Sequence, residues 1–124
     1  QFDGINFDLI YGLPLQTRER FAYTAERIAE LAPDRIAFYS YAQVPWLKEH
    51  QKAIRSSDLP STEEKFRIYV EGRDRFMQRG YIPIGMDHFS LPSDSIAKSY
   101  RNKTLTRNFQ GYSIRLAEDM LGLG

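Results

Sequence analysis

Apolar and polar positions change period several times along this chain, and the changes mark out its elements. Residues 6–11 alternate like a strand, and successive strand side chains point to opposite faces. Ile5, Phe7, Leu9 and Tyr11 share one face, while Asn6, Asp8 and Ile10 share the other. The run reads as a buried strand with one carboxylate inside it, ending at the turn Gly12-Leu-Pro14. A buried charge costs several kcal/mol unless it is paired, so Asp8 is expected to have a dedicated partner, either a ligand or an internal salt bridge or cap. Two further strand-like runs cover residues 35–41 and 81–86, both rich in β-branched and aromatic residues. Pro83 has no amide donor and should weaken the third.

Helical spacing fills the gaps. Phe21, Ala25, Ile28, Ala29 and Ala32 form one stripe, with Thr17 as the N-cap and Pro33 as the stop. Ser61-Thr-Glu-Glu64 reads as a capping box. It opens a helix whose apolar stripe is Phe66, Tyr69, Val70, Phe76 and Met77, with Arg73 as its polar exception and Gly80 as its left-handed end. The order strand, helix, strand, helix, strand predicts an α/β fold with parallel neighbouring strands and right-handed crossovers. Functional groups are then expected at the strands' carboxyl ends, around residues 11–15, 41–45 and 86–92. Residues 44–60 form a long connection in which Trp46, Leu47, His50, Gln51 and Ile54 hint at a short helix. A second short helix is expected over 94–102 with Ser93 as its cap, followed by a strand or extended stretch over 107–112.

Composition narrows the classes. In 124 residues, 42% are hydrophobic, enough for one core, and the formal net charge is +1. A balanced charge argues against a nucleic-acid surface, which needs clustered basic residues. No apolar run approaches membrane-spanning length. Cysteine is absent, which removes disulfides and thiolate metal sites, and His50 and His88 match no metal spacing. A cytoplasmic protein without membrane or nucleic-acid partners is expected. The chain starts at Gln1 and stops in an apolar stretch, Leu121-Gly-Leu-Gly124, which reads as a piece of a longer protein. No P-loop, dinucleotide fingerprint or nucleophile elbow is present. Asp87-His88 is either an acid–base pair beyond the third strand or a turn cap with a histidine bonded to backbone. Tyr39 and Tyr41 read as core packing, and Arg101, Lys103 and Arg107 as a solvated basic run or a carboxylate-binding one.

Several motifs together resemble a known family. Asp8-Leu-Ile-Tyr-Gly-Leu-Pro14 with Gln16-Thr17, Pro33-Asp-Arg-Ile36, Tyr41-Ala-Gln-Val-Pro45, Gly85-Met-Asp-His-Phe89 and Arg107-Asn-Phe-Gln-Gly-Tyr112 are similar to coproporphyrinogen dehydrogenases, the oxygen-independent coproporphyrinogen III oxidases. The resemblance covers the whole chain, in order, and matches the middle of the family's sequence. It implies a radical S-adenosylmethionine enzyme whose [4Fe–4S] cluster is held by three cysteines of an upstream Cys-x-x-x-Cys-x-x-Cys motif. A 5′-deoxyadenosyl radical takes hydrogen from propionate side chains of coproporphyrinogen III, and two oxidative decarboxylations give protoporphyrinogen IX for heme biosynthesis. It also implies that residues 1–124 form one unit, the later half of an open (β/α)6 TIM-like barrel. With no cysteine, the segment has no metal ligand and no catalytic residue of its own, and alone it should be inactive. The resemblance carries three S-adenosylmethionine contacts onto Asp8, Ala42 and Gln110. The expected partners are coproporphyrinogen III, the rest of the polypeptide and, for the isolated segment, a second copy through exposed sheet edges. The alternatives are a heme chaperone of the same superfamily and a non-catalytic α/β interaction module.

Overall fold

A computed structural model describes residues 4–108 and 111–114. Its first half follows the alternation. Strand β1 (Asn6–Tyr11) and strand β2 (Arg35–Ser40) pair in parallel, with Asp8 opposite Ala37 and Tyr11 opposite Ser40. Helix α1 (Arg18–Leu31) makes the crossover between them. The Thr17 side chain caps it by accepting from the Arg20 amide, and Ala32 ends it in the left-handed region just before buried Pro33.

Helix α2 (Thr62–Gln78) then packs beside α1. Ser61 caps it through the Glu64 amide, but the box is half made. The Glu64 carboxylate accepts from the Arg18 amide instead of turning back, which ties the two helix starts together. The buried stripe of α2 is Ile68, Gly72 and Phe76, and this corrects the expected one. Phe66 and Met77 are exposed. The physical reason lies in Gly72: a Cβ built there would sit 2.6 Å from Phe21 and 2.9 Å from Phe38. The missing side chain lets α2 approach the sheet closely, and that contact sets the helix's rotation. The core is largely aromatic, and Phe38 meets Tyr11, Phe21, Tyr69, Phe76 and Phe89.

The third strand departs from expectation. The run 81–86 does not pair in parallel with β2. It forms a short strand β3 (Ile82–Ile84), turns at Gly85 (φ 72°), and returns as β4 (His88–Ser90). β4 is inserted antiparallel between β2 and β3, so the sheet order is β1-β2-β4-β3 and the sheet is mixed. Pro83 is thereby on an edge strand, where its missing amide leaves no ladder bond unmade. The expected all-parallel βαβαβ arrangement is corrected to one parallel βαβ unit plus a hairpin.

Helix α3 (Ser95–Arg101) is capped by Asp94, not Ser93, through the Ile96 amide. Ile96 and Ala97 pack on Ile84, with Ile82, Leu105 and Tyr112 around them. A hairpin of β5 (Thr106–Asn108) and β6 (Gly111–Ser113) closes the described part. Residues 44–60 hold two 3₁₀ turns, Glu49–Ala53 and Ser56–Asp58, in place of the expected short helix. No helix among the described residues is long and apolar enough to cross a membrane.

Candidate functional site

The sheet has two unlike faces. Phe7, Leu9, Tyr11, Ile36, Phe38 and Phe89 point toward α1 and α2. Asn6, Asp8, Ile10, Arg35, Tyr39 and His88 point the other way, since directly opposed residues share a face. Among the described residues, α3 and the β5–β6 hairpin cover the β3–β4 half of that second side. A corner remains over β1 and β2, occupied by a cavity of about 310 Å³ lined by Asn6, Asp8, Arg35, Tyr39, His88 and Tyr112, among others.

Asp8 does not behave as a buried charge. Its residue is exposed, and its Oδ1 accepts from Asn6 Nδ2 at 2.7 Å. No cation pairs with it among the described residues, so the internal salt bridge is not formed. Its second oxygen has no hydrogen-bond partner there, and the residue lines the cavity. Arg35, the nearest candidate cation by register, is engaged elsewhere: its Nε lies 3.1 Å from buried Asp94, which also accepts from Ser90 Oγ. Tyr39 stands one strand over. Burial first, then the carboxylates of Asp8 and Asp87, push its phenol up from the ordinary value, so it stays a hydrogen-bond donor at neutral pH.

Because β4 runs backwards, its first residue lies on the same rung as Asp8, with only Ala37 between them. That brings Asp87 and His88 to the cavity. His88 Nδ1 is 2.7 Å from Asp87 Oδ1, and Asp87 Oδ2 is 3.5 Å from Arg107 Nη2. The pair is a hydrogen-bonded dyad, and the other reading, a histidine bonded to backbone beside a turn-capping Asp87, is not seen among the described residues. The Asp87 carbonyl accepts from the Phe38 amide of β2, which ties the start of β4 to the sheet. Tyr39 takes part in the site, whereas Tyr41 keeps a buried hydroxyl without a partner. Arg107 joins the cluster, while Arg101 donates to the Pro92 carbonyl and stays outside it.

Two glutamines with no bonding role assigned from the sequence fix the loops at the carboxyl ends of β1 and β2. Gln16 Oε1 accepts from the Gly12 amide at 2.6 Å while its Nε2 donates to the Ile10 carbonyl. Gln51 is buried. Its Oε1 accepts from the Val44 amide at 2.6 Å and its Nε2 donates to the Ala42 carbonyl. Each side-chain amide satisfies both a donor and an acceptor of a turn that lacks regular partners. Ala42 is held in this way on the loop after β2, exposed and outside the cavity lining. Gln110 lies outside the described residues.

With this geometry in view, the comparisons with known proteins are specific, although no protein-family model matches the chain. Curated proteins of Escherichia coli and Synechocystis are each 47% identical over 123 residues, 99% of this chain. A solved structure from Escherichia coli, described as a radical SAM enzyme, superimposes with a TM-score of 0.93 at 47% identity and covers 99% of the chain. The two curated relatives are oxygen-independent coproporphyrinogen III oxidases, and the solved structure is of a coproporphyrinogen III oxidase. The resemblance read from the sequence therefore holds along the whole chain. The chain spans about a quarter of the oxidases it matches, 27% of the Escherichia coli protein and 26% of the Synechocystis one.

Proposed function

We propose that this chain is a segment of an oxygen-independent coproporphyrinogen III oxidase, a radical S-adenosylmethionine enzyme of heme biosynthesis. In the whole protein, two propionates of coproporphyrinogen III are oxidatively decarboxylated to give protoporphyrinogen IX. The observation that carries this reading is an exposed carboxylate, Asp8, with no cation partner among the described residues, lining a polar cavity in a chain 47% identical to such oxidases. In this reading residues 1–124 are one unit, the later half of an open barrel. The β1–β2 side of the cavity faces the barrel interior, and the rest of the polypeptide completes the wall beyond β1. A cytoplasmic location goes with it.

The residues present fit S-adenosylmethionine in part. Asp8 offers a free acceptor suited to vicinal ribose hydroxyls, and two such hydrogen bonds offset the desolvation of its charge. Its negative charge also suits a sulfonium cation. Ala42 presents only a methyl group at the strand end, which leaves room for a flat base, and Gln110 completes the proposed contacts. When bound, S-adenosylmethionine supplies hydrogen-atom abstraction from a substrate carbon. The residues do not fit the iron–sulfur cluster: the chain has no cysteine, so its ligands belong to other parts of the protein.

The test uses the full-length protein, reconstituted and reduced without oxygen. It should release carbon dioxide from coproporphyrinogen III and consume S-adenosylmethionine in step with product. A full-length protein that binds heme and releases no carbon dioxide would move it to the chaperone branch. One with no affinity for S-adenosylmethionine would make it an interaction module.

A further inference from the structure

The rung Asp8–Ala37–His88 brings two polar side chains to one cavity from either side of a methyl group. Their chemistry differs. Asp8 is an acceptor. His88 is fixed so that one ring nitrogen is spoken for and the other is spare. Its Nδ1 lies 2.7 Å from Asp87 Oδ1, and a carboxylate there demands a proton on Nδ1. Nε2 has no hydrogen-bond partner among the described residues and is not enclosed as a buried orphan. The ring cannot swing freely. Tyr39 and Tyr112 meet it nearly edge-on, at centroid distances of 5.9 and 5.1 Å. Gly111 passes beside Nε2, where even a Cβ would come only to 3.7 Å, an ordinary contact.

Charge bookkeeping gives the ligand's sign. The titratable and charged groups around the imidazole's cavity are Asp87 from the β3–β4 turn, Arg107 from β5, Tyr39 and Arg35 from β2, Tyr112 from β6 and, across the cavity, Asp8 from β1. Asp87 and Arg107 cancel each other, as do Arg35 of the cavity lining and its partner Asp94. A protonated His88 then adds one positive charge and an Nε2–H donor at the end of the cavity away from Asp8, the complement of one carboxylate. Asp8 would repel an anion placed beside it, but two strand spacings, about 10 Å, separate its backbone from that of His88.

We propose that His88 Nε2 is the donor that receives a carboxylate of the acidic substrate, at the end of the cavity opposite Asp8, with Asp87 as its positioning residue. This rests on the function proposed above, and it divides the cavity between a cofactor end at Asp8 and a substrate end at His88. Because Nε2 donates only from the protonated ring, carboxylate binding takes up a proton.

The methionine carboxylate of S-adenosylmethionine has the same chemistry, so the test separates the two sources. Full-length protein is titrated with coproporphyrin III, with its tetramethyl ester and with S-adenosylmethionine. His88→Leu should weaken the tetra-acid about tenfold or more and leave the ester and S-adenosylmethionine unchanged. Asp87→Asn keeps the side-chain shape and should weaken the tetra-acid at neutral pH, with affinity recovered at lower pH. It stands as the second variant should His88→Leu lose its fold by circular dichroism. A His88→Leu protein that folds and binds the tetra-acid like wild type overturns the proposal, as does one that loses S-adenosylmethionine instead. So does an Asp87→Asn protein with unchanged tetra-acid affinity across pH. Wild type that binds neither tetra-acid nor S-adenosylmethionine overturns the parent reading instead.

Discussion

The α1/α2 side of the sheet and the Asp8 side are built from alternate residues of the same strands, yet only the first is finished. Under the helices, Phe21, Phe38, Ile68, Phe76 and Phe89 are almost fully buried, and Gly72 is kept bare so that two aromatic rings can reach the helix backbone. On the other side, among the described residues, α3 and the β5–β6 hairpin seal the β3–β4 half, leaving Asp8, Tyr39 and His88 around an open corner. One side spends its residues on stability, and the other leaves Asp8 Oδ2 and His88 Nε2 without hydrogen-bond partners among the described residues. Unpaired polar groups that converge on a concavity add nothing to folding, so their arrangement points to a ligand.

This contrast can be broken most forcefully from the helix side. Phe38→Ala removes the ring at the centre of the aromatic cluster and should cost about 3–5 kcal/mol, read as a fall in the urea midpoint. Gly72→Ala should cost about 1–3 kcal/mol by overpacking, since its Cβ would meet Phe21 at 2.6 Å. A thermal scan in which Gly72→Ala matches wild type would mean that the close approach of α2 is not needed.

A smaller effect concerns pH. The hydrogen bond from Arg18, helped by Arg75 and opposed by burial, holds the Glu71 carboxyl below its ordinary value. A depressed carboxyl contributes stability above its unfolded value, about 4.3, and loses it as pH falls through the folded value. The stability gap between wild type and Glu71→Gln should therefore shrink on acidification. A gap independent of pH would leave the Arg18–Glu71 pair without a role in joining α1 to α2.

What the residues reveal on their own follows the same division. Alternation over 6–11 and the Thr17 cap are local signals, and both are present in the structure. The stripe of α2 was misread because Gly72 carries no hydrophobic signal; its role depends on Phe21 and Phe38, far away in sequence. The β3–β4 hairpin was hidden because Ile84-Gly-Met-Asp-His-Phe89 has no two-residue turn signature, so an apolar run looked like one strand instead of two. At the site, the face of Asp8 was legible from period-2 alternation alone. That His88 shares its rung was not legible, because this depends on β4 running backwards. Gln16 and Gln51 were equally silent: a glutamine's two-sided use appears only once the turn it braces is formed.

The most direct measurement is the affinity of the full-length protein for S-adenosylmethionine, taken with its melting temperature, for wild type and Asp8→Asn. Among the described residues Asp8 has only Asn6 as a hydrogen-bond partner, so the substitution should change stability by no more than about 0.5 kcal/mol while weakening cofactor binding about tenfold or more. Unchanged affinity at unchanged stability would contradict the claim that the open side of this sheet is a ligand site.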